Sequence, residues 1–307
     1  MSVLAVFNGF RWFKPYIEIC RVESWLSWIF GFALGIIFFS SPLLSQAIAI
    51  FLAFSFATAS IFILNQYFDR QADENNKLKS NLPIASGKIP PFYALIFSFL
   101  LIILCFIIVF ITDINLSLPF FFYLALWFLY SAPTPKLKSM PIIDFLTSGV
   151  GAGFLPFFIG SSVTFQSSSI SLIILATIPL TLFHCGAHII QTIGDYEADL
   201  EADISTFVVR YGRKKGVTTA GLMFLSAFLL PFIYLFSELV SSGHLVFFAM
   251  LILLSIPPLL RFEHLFKNPC SSNVISLQKS VKKYGVLALL ITWIYVLMTK
   301  FVLTGFY

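Results

Sequence analysis

Two stretches of the chain repeat one pattern of oxygen-bearing side chains. Each has an amide followed by aspartates four and eight residues later: Asn65, Asp69 and Asp73 in the first, and Gln191, Asp195 and Asp199 in the second. Because four residues make about one turn of an α-helix, each set would line one helical face. One such column is typical of a solvated helix end, but two matching columns among only 14 acidic residues predict a binding site.

Two facing aspartate columns favour the binding of a metal-bound phosphate. Carboxylates beside lipid need a positive partner, and Mg²⁺ takes oxygen ligands from carboxylates and substrate phosphates together. We therefore expect a Mg²⁺ cofactor and a diphosphate between the columns. Basic side chains that could offset the remaining phosphate charge are nearby in the sequence: Arg70, Lys77, Lys79, Lys136 and Lys138.

The composition indicates that the elements carrying these columns are membrane helices. Of the 307 residues, 59% are hydrophobic and 11% are charged, whereas a soluble domain carries about 25% charged residues. The mean hydropathy is +0.94. The apolar runs lack the alternation of barrel strands, so they indicate α-helices. Nine spans are predicted, at roughly 22–40, 43–66, 91–112, 115–131, 141–163, 168–191, 216–238, 243–260 and 284–304.

The distribution of basic residues predicts the orientation of these spans. With the N-terminus in the cytoplasm, eighteen of the nineteen Lys and Arg residues fall on the cytoplasmic side, and Lys300 falls on the other. This is the bias of multi-pass membrane proteins, and it places both acidic columns at cytoplasmic helix ends. Residues 1–21 mix aromatic and basic side chains and indicate an interfacial segment. The net charge of +5 suits anionic inner-leaflet lipids, and nucleic acid is not an expected partner.

Several motifs together resemble the UbiA superfamily of intramembrane prenyltransferases. The signatures of that family include N-D-x-x-D-x-x-x-D, D-x-x-x-D, R-P-L-x-S-G, Y-S-x-P-P-x-R-L-K and T-x-x-V-x-x-G. The segments that match them here are, in the same order, 65–73, 195–199, 82–87, 130–138 and 206–212. The resemblance covers nearly the whole chain, because the number of predicted spans also agrees with the family.

The resemblance implies a fold and an activity. The fold is one all-α domain over residues 1–307, a bundle of nine transmembrane helices around a central cavity, with a cytoplasmic cap made by the loops that carry the acids. The activity is transfer of a polyprenyl group from its diphosphate to a hydrophobic acceptor inside the bilayer. The implied catalytic acids are Asp69, Asp73, Asp195 and Asp199, and the same acids together with Asn65 are the implied Mg²⁺ ligands.

The remaining candidate residues would contact the diphosphate or lie close to it. Diphosphate contacts are assigned to Asn65, Arg70, Lys79, Tyr130, Lys136, Lys138 and Gln191. Arg21, His188 and Asp203 are further candidates. Arg70 would either contact phosphate or pair with the aspartates, and the two lysines at 136 and 138 would bind phosphate or only mark the cytoplasmic side.

Two other polar side chains have two interpretations each. His188 lies two turns before Asp195 and either handles the acceptor, as a proton acceptor or an orienting group, or packs between helices. Asp144, at the start of the fifth predicted span, either lines the cavity or pairs with Lys138.

Three positions depart from the pattern of the family. Gln66 stands where an aspartate is usual, which removes a charge but keeps an oxygen. Leu82 stands where an arginine is common, so Lys79 is expected to take over that phosphate contact. Asp203 follows the second column where a glycine is common, and its side chain is either a ligand or solvated.

The motifs describe the diphosphate end of the substrate and leave the acceptor open. Loss of diphosphate would leave an allylic carbocation, which the acceptor attacks in a cavity that excludes water. An aromatic quinone precursor is the preferred acceptor, and the alternatives are a glycerol-phosphate lipid, a chlorophyll precursor or a carotenoid. A terpene cyclase would use the same ionisation without a second substrate. A membrane transporter is the non-enzymatic alternative, although transporter sites usually lie near the membrane midplane.

Overall fold

The computed structural model describes residues 13–40, 42–76, 79–163, 170–241 and 245–303, and the regular elements described there are helices. In chain order these are α1 (Leu26–Phe39), α2 (Leu44–Asn75), α3 (Pro91–Thr112), α4 (Ser117–Ser131), α5 (Ile143–Gly149), α6 (Leu155–Ser161), α7 (Ile170–Glu201), α8 (Phe207–Tyr211), α9 (Arg213–Ser241), α10 (Leu245–Lys267) and α11 (Ser271–Leu303). A π-helical turn, Val150–Phe154, joins α5 to α6. The helix Phe13–Ser24 precedes α1 at a bend of 65°.

Within the described residues, six helices are long and apolar enough to cross a membrane, and the bent pair before and including α1 would make a seventh. An all-helical, multi-pass architecture is therefore confirmed. The spans predicted at 216–238 and 284–304 fall on α9 and on the C-terminal part of α11, and neither helix is among these six. The predicted count of nine spans stays a prediction. Part of the interfacial segment predicted over 1–21 lies outside the described residues, which begin at Phe13.

The helices that carry the acidic columns are longer than the apolar runs that predict them. Both α2 and α7 have 32 residues, which corresponds to about 48 Å, whereas the hydrocarbon core of a bilayer is about 30 Å thick. The predicted spans end near residues 66 and 191, but the helices continue to Asn75 and Glu201. Each column therefore stands on rigid helical turns that continue a membrane span.

Of the three buried clusters in the described residues, two contain large parts of the helices that carry the acidic columns. One surrounds Trp28, Phe54 and Tyr123 and joins α1, α2 and α4. The other surrounds Ile189 and Val274 and joins α7 to α9 and α11. The first column belongs to a helix of one cluster and the second column to a helix of the other, so the columns meet where the two halves of the bundle meet.

The contact between α1 and α6 depends on glycine. A Cβ atom at Gly160 would lie 2.0 Å from the Phe32 carbonyl oxygen, and one at Gly35 would lie 2.2 Å from the Phe157 carbonyl oxygen. Small residues at such crossings let membrane helices approach backbone to backbone. This contact brings the last part of the fifth predicted span against the first.

Candidate active site

The last turns of α2 carry the first column as the spacing predicts. The Asn65 Nδ2 group donates a hydrogen bond to Asp69 Oδ2 at 2.9 Å and another to Ser131 Oγ at 3.2 Å. Asp73 lies one turn further on and is buried. The amide therefore orients the Asp69 carboxylate and ties this column to the end of α4.

Gln66 points away from this column. Its Nε2 group donates to the Ile19 carbonyl oxygen at 2.7 Å, and the side chain is buried. An ionised aspartate has no N–H to donate to a carbonyl. The departure from the family pattern at this position therefore has a structural reason, which is that the amide anchors the segment before α1.

The last turns of α7 carry Asp195 and Asp199, and both are partly buried. Asp199 lies within electrostatic range of Asp69 on α2, so the two columns face each other. Gln191, one turn before Asp195, is exposed and makes no hydrogen bond with a described residue. Asp203 lies beyond the end of α7, exposed and with φ of 53°, so it does not extend the helical column.

Two lysines bridge the columns from loops. Lys138, which follows α4 and is buried, forms an ion pair with Asp69. Lys79, which follows α2, places Nζ 3.1 Å from Asp195 Oδ2 and lies within range of Asp73. Burial alone would lower the pKa of Lys79, but the attraction of these carboxylates outweighs it and raises the pKa. Both loops are thereby held over the acidic ends of the helices.

The four aspartates of the two columns, Asp69, Asp73, Asp195 and Asp199, form what we call the acid cluster. Arg21 borders this cluster, whereas Arg70 does not contact it. Asp73 and Asp195 are electrostatic neighbours of the Arg21 guanidinium, which lies 5.5 Å from the centre of the Phe62 ring. Arg70 instead donates to the Tyr67 carbonyl oxygen at 3.2 Å and stacks on that ring. In the described part of the chain, no ion pair joins Arg70 to either aspartate column.

The other basic candidates are less tightly held. Lys136 has a left-handed backbone, with φ of 55°, and forms no ion pair with a described residue. Left-handed φ is uncommon outside glycine, yet Arg21, Lys136 and Asp203 all adopt it at this end of the bundle. Such conformations tend to occur at functional sites. Lys77 lies outside the described residues.

Tyr130 and His188 form a pair beside the acids. The Tyr130 hydroxyl lies 3.4 Å from His188 Nε2, and the ring tautomer decides which of the two donates. Asp69, Asp195 and Asp199 are all electrostatic neighbours of Tyr130. The pair therefore connects α4 to α7 next to the acid cluster.

Asp144 does not pair with Lys138, which is one of the two interpretations of its sequence position. It is fully buried, and its Oδ2 accepts the Phe207 N–H at 2.9 Å, while Oδ1 has no hydrogen-bond partner among the described residues. Phe207 begins α8, the short helix that follows the second column. Asp144 thus joins α5 to the segment behind that column.

Besides the ion pair between Lys138 and Asp69, the sequence-based assignments miss the contacts of two residues in the site. One is Ser131 as the hydroxyl that accepts from Asn65, although it directly follows Tyr130 in a recognised motif. The other is Asp144 as the acceptor of the Phe207 N–H, since a backbone donor 63 residues away leaves no mark in a sequence pattern.

The donor set fits Mg²⁺. Within the described ranges, no three carboxylate, histidine or cysteine side chains converge as a ready metal centre. Four carboxylates and an amide oxygen on two helix ends are, however, hard oxygen donors of the kind Mg²⁺ prefers, and Mg²⁺ commonly completes its shell with phosphate and water. The residues therefore suit a cation that is shared with a diphosphate rather than one held by the protein alone.

Helices of this length with facing acidic columns define a membrane protein with a polar site at one end of the bundle. A model of the UbiA prenyltransferase family matches residues 24–273 of the chain. The chain therefore belongs to the UbiA prenyltransferase family. It is a multi-pass membrane enzyme that transfers a prenyl group, which excludes the transporter alternative.

Relatives and solved structures agree with this assignment. The digeranylgeranylglyceryl phosphate synthase of Methanobrevibacter smithii is 30% identical over 237 residues, which cover 73% of this chain and 78% of the relative. The synthase of the same name from Methanosphaera stadtmanae is 27% identical over 228 residues, 73% of this chain and 79% of the relative. A UbiA homologue from Archaeoglobus fulgidus, solved bound to GPP and Mg²⁺, superposes with a TM-score of 0.65 at 19% identity, over 91% of this chain and 96% of that one.

Proposed function

We propose that this enzyme transfers a polyprenyl group from its diphosphate to a hydroxyl group of a glycerol-phosphate lipid, with Mg²⁺ as cofactor. The observation that carries the proposal is the pair of facing aspartate columns, each of which forms an ion pair with a lysine from a loop, Lys138 with Asp69 and Lys79 with Asp195. The homologue bound to GPP and Mg²⁺ supports the donor and the cation. The names of the two synthases support the acceptor.

The proposed ligands of Mg²⁺ are the residues of the columns: Asn65, Asp69, Asp73, Asp195 and Asp199. When bound, Mg²⁺ would stabilise the charge that develops on the departing diphosphate oxygens. Lys79 and Lys138 already lie against carboxylates of the columns, so we assign their ammonium groups to the diphosphate as well. Arg21 and Tyr130 border the same space.

The remaining candidate residues form no hydrogen bond or ion pair with the column aspartates in the described part of the chain, and most of them would have to change conformation to reach a diphosphate bound there. Arg70 would have to leave Tyr67 to reach a phosphate. Gln191 and Asp203 are exposed and would have to turn toward the columns. Lys136 carries a charge with no ion-pair partner among the described residues, and we retain it as a phosphate contact.

The reaction breaks the bond between C1 of the prenyl group and the diphosphate oxygen, and diphosphate leaves with the electron pair. The acceptor hydroxyl oxygen forms a new bond to C1 and releases its proton. We assign His188 to take that proton, because its Nε2 is beside the acid cluster and next to the Tyr130 hydroxyl. A neutral imidazole is a suitable proton acceptor near neutral pH.

The acceptor proposed here differs from the one that the sequence alone favours. An aromatic quinone precursor finds no support among the relatives, whereas a glycerol-phosphate lipid, one of the alternatives, does. The name of the relatives describes a product with two geranylgeranyl groups on glyceryl phosphate. Adding the second group requires a hydroxyl acceptor that already carries one chain and a phosphate.

We further propose that the acid cluster faces the cytoplasm. The bias of Lys and Arg residues supports this orientation. The loops that bring Lys79 and Lys138 onto the columns would form the cytoplasmic cap, and residues 1–307 would form one domain that begins with an interfacial segment over 1–21.

The test is turnover by protein purified in detergent. Geranylgeranyl diphosphate is supplied with a panel of acceptors (a geranylgeranylglyceryl phosphate, an aromatic quinone precursor and none), with Mg²⁺ or with EDTA. Asp69→Asn and Asp195→Asn are compared with Asp113→Asn, which makes the same chemical change in an acid that caps a turn before α4.

We expect product from the glycerol-phosphate lipid with Mg²⁺ in the wild-type protein and in Asp113→Asn, and at least roughly a hundredfold less in the two column variants. Product from the aromatic acceptor alone would overturn the proposed acceptor. Turnover without any acceptor would indicate a cyclase. Turnover that resists EDTA and both column variants would overturn the proposed site.

A further inference from the structure

A cavity of about 320 Å³ lies at the start of α9, and no step of the proposed reaction uses it. Its lining consists of two aromatic rings, two lysines and two threonines: Phe207, Tyr211, Lys214, Lys215, Thr218 and Thr219. We call it the α9 cavity. The rings come from α8 and the other four side chains from the first two turns of α9.

The two lysines of the α9 cavity have no acidic partner in the described part of the chain. Lys214 and Lys215 are exposed, and Lys215 Nζ lies 6.0 Å from the centre of the Tyr211 ring. Arg213, the basic residue just before them, already has partners in the protein, because it contacts Glu197 at 2.6 Å and stacks on Tyr196. Two neighbouring positive charges beside aromatic rings, with no carboxylate of their own, favour an anionic ligand.

An apolar stripe continues from the cavity along α9. Gly216, Val217 and Ala220 form the face of the helix that is in contact with α7 or buried among its neighbours. The opposite face is exposed and reads, from the N-terminus onward, Lys214, Thr218, Leu222, Leu225 and Leu229. At 1.5 Å per residue this stripe is about 22 Å long, enough to run from the headgroup level well into one leaflet.

We infer that the α9 cavity binds the headgroup of an anionic phospholipid of the surrounding bilayer, with the acyl chains along the leucine stripe. The side chains along this face follow the order of the groups in such a lipid. Lysines come first and suit the phosphate, a threonine hydroxyl follows, and the leucines suit the acyl chains. A soluble anion would use the lysines but not the leucines, whereas a zwitterionic lipid would use the leucines but gain less from the lysines.

The position of the α9 cavity connects it to the active site. Phe207 lines the cavity, packs its ring against Phe145 at 5.3 Å between centres, and donates its N–H to Asp144. A bound lipid therefore contacts the segment that follows the second aspartate column. The inference does not depend on the acceptor of the prenyl group, because it concerns residues outside the acid cluster.

The test is lipid binding to the intact detergent-purified protein, measured by native mass spectrometry during titration with phosphatidylglycerol or phosphatidylcholine. The double variant Lys214→Gln/Lys215→Gln is compared with Lys279→Gln/Lys283→Gln. The control makes the same change in net charge at two exposed lysines of α11, one of which also lies near an aromatic ring. A further arm adds inorganic phosphate at millimolar concentration as a competitor.

We expect the first variant to bind phosphatidylglycerol roughly 30-fold more weakly, since each lysine near an anionic surface contributes about a factor of five. The control and the wild-type protein should bind it equally, and all three should bind phosphatidylcholine equally. Equal losses in both variants, no loss in either, or complete displacement of the lipid by inorganic phosphate would each overturn the inference. Prenyl transfer measured in the same samples keeps this result separate from the proposed function.

Discussion

At the scale of single residues, the acid cluster is held by groups that donate to carboxylates. Asn65 and Lys138 both contact Asp69, and Lys79 contacts Asp195. The two lysines come from different loops, so each ion pair joins a loop to a helix. Groups that are fixed in this way before substrate binds need little reorganisation when charge moves to the diphosphate. This arrangement favours an enzyme that stabilises a leaving group.

The role assigned to His188 predicts a loss of rate without a loss of donor affinity. In His188→Phe, the ring that packs beside Tyr130 is kept and the nitrogen that takes the proton is removed. We expect kcat to fall by about a hundredfold, the lower range for a lost acid–base group, with KM for the prenyl diphosphate unchanged. Steady-state kinetics with saturating acceptor measure both constants.

The control for this prediction is His184→Phe. His184 is buried one turn earlier on α7 and has an aromatic neighbour, Phe183. It should retain the kcat of the wild-type protein. Equal kcat values in the two variants would mean that His188 is a packing residue, the other interpretation of its position.

At the scale of elements, the short helix α8 depends on Asp144. Asp144→Ala removes the acceptor of the Phe207 N–H, a bond to a charged group that contributes about 1.5–3 kcal/mol. We expect amide exchange over Phe207–Tyr211 to become at least roughly tenfold faster, as measured by hydrogen–deuterium exchange. Asp144→Asn keeps one carbonyl oxygen and should retain most of the protection. Unchanged exchange in the alanine variant would contradict this account of α8.

Two glycine substitutions should have opposite effects on stability, one at the crossing of α1 and α6 and one in α11. Gly160→Ala would put a Cβ atom into the Phe32 carbonyl, and overpacking of this kind costs about 1–3 kcal/mol or more. At Gly285, in the interior of α11, an added Cβ meets no atom of a described residue within 4 Å, so Gly285→Ala should stabilise the helix by about 0.5–1 kcal/mol. Thermal unfolding in detergent compares them, and equal melting temperatures would refute the close crossing.

The elements differ in how far the sequence predicts them. The span predicted at 91–112 coincides with α3, because hydropathy alone defines a helix that lies wholly in lipid. The ends of α2 and α7 are not defined by hydropathy, since their last turns are polar and are helical through contacts with loops. The π-helical turn at Val150–Phe154 also escapes prediction, because the apolar run around it has no change of period.

The contacts of the site are likewise only partly predictable from the sequence. The spacing of the aspartates predicts the columns. The missing arginine at Leu82 predicts Lys79 as a phosphate contact, and this stays a prediction, while the structure places Lys79 against Asp195. The ion pair between Lys138 and Asp69 and the contact of Asp144 with Phe207 are not predictable in this way. They join residues more than 60 positions apart, and only the packing of the helices decides such pairs.

At the scale of the whole molecule, the predicted orientation places the loops before and after α3 on opposite sides of the membrane. Single cysteines at Ser86→Cys and Asn115→Cys, in a Cys270→Ser background, report this through a membrane-impermeant maleimide. Both positions are exposed, and the other three cysteines are buried. Asn115→Cys should react in intact cells and Ser86→Cys only after permeabilisation. The reverse pattern would contradict the proposed cytoplasmic active site.

The two halves of the molecule each contribute one aspartate column, and the substrate is proposed to bind where they meet. The most direct measurement of this account is the mass of the product formed from geranylgeranyl diphosphate and a geranylgeranylglyceryl phosphate. We predict a product with a second geranylgeranyl group when Mg²⁺ is present, and none with EDTA or with Asp69→Asn. Equal product formation in the Asp69→Asn variant, or none in the wild-type protein with Mg²⁺, would contradict the account.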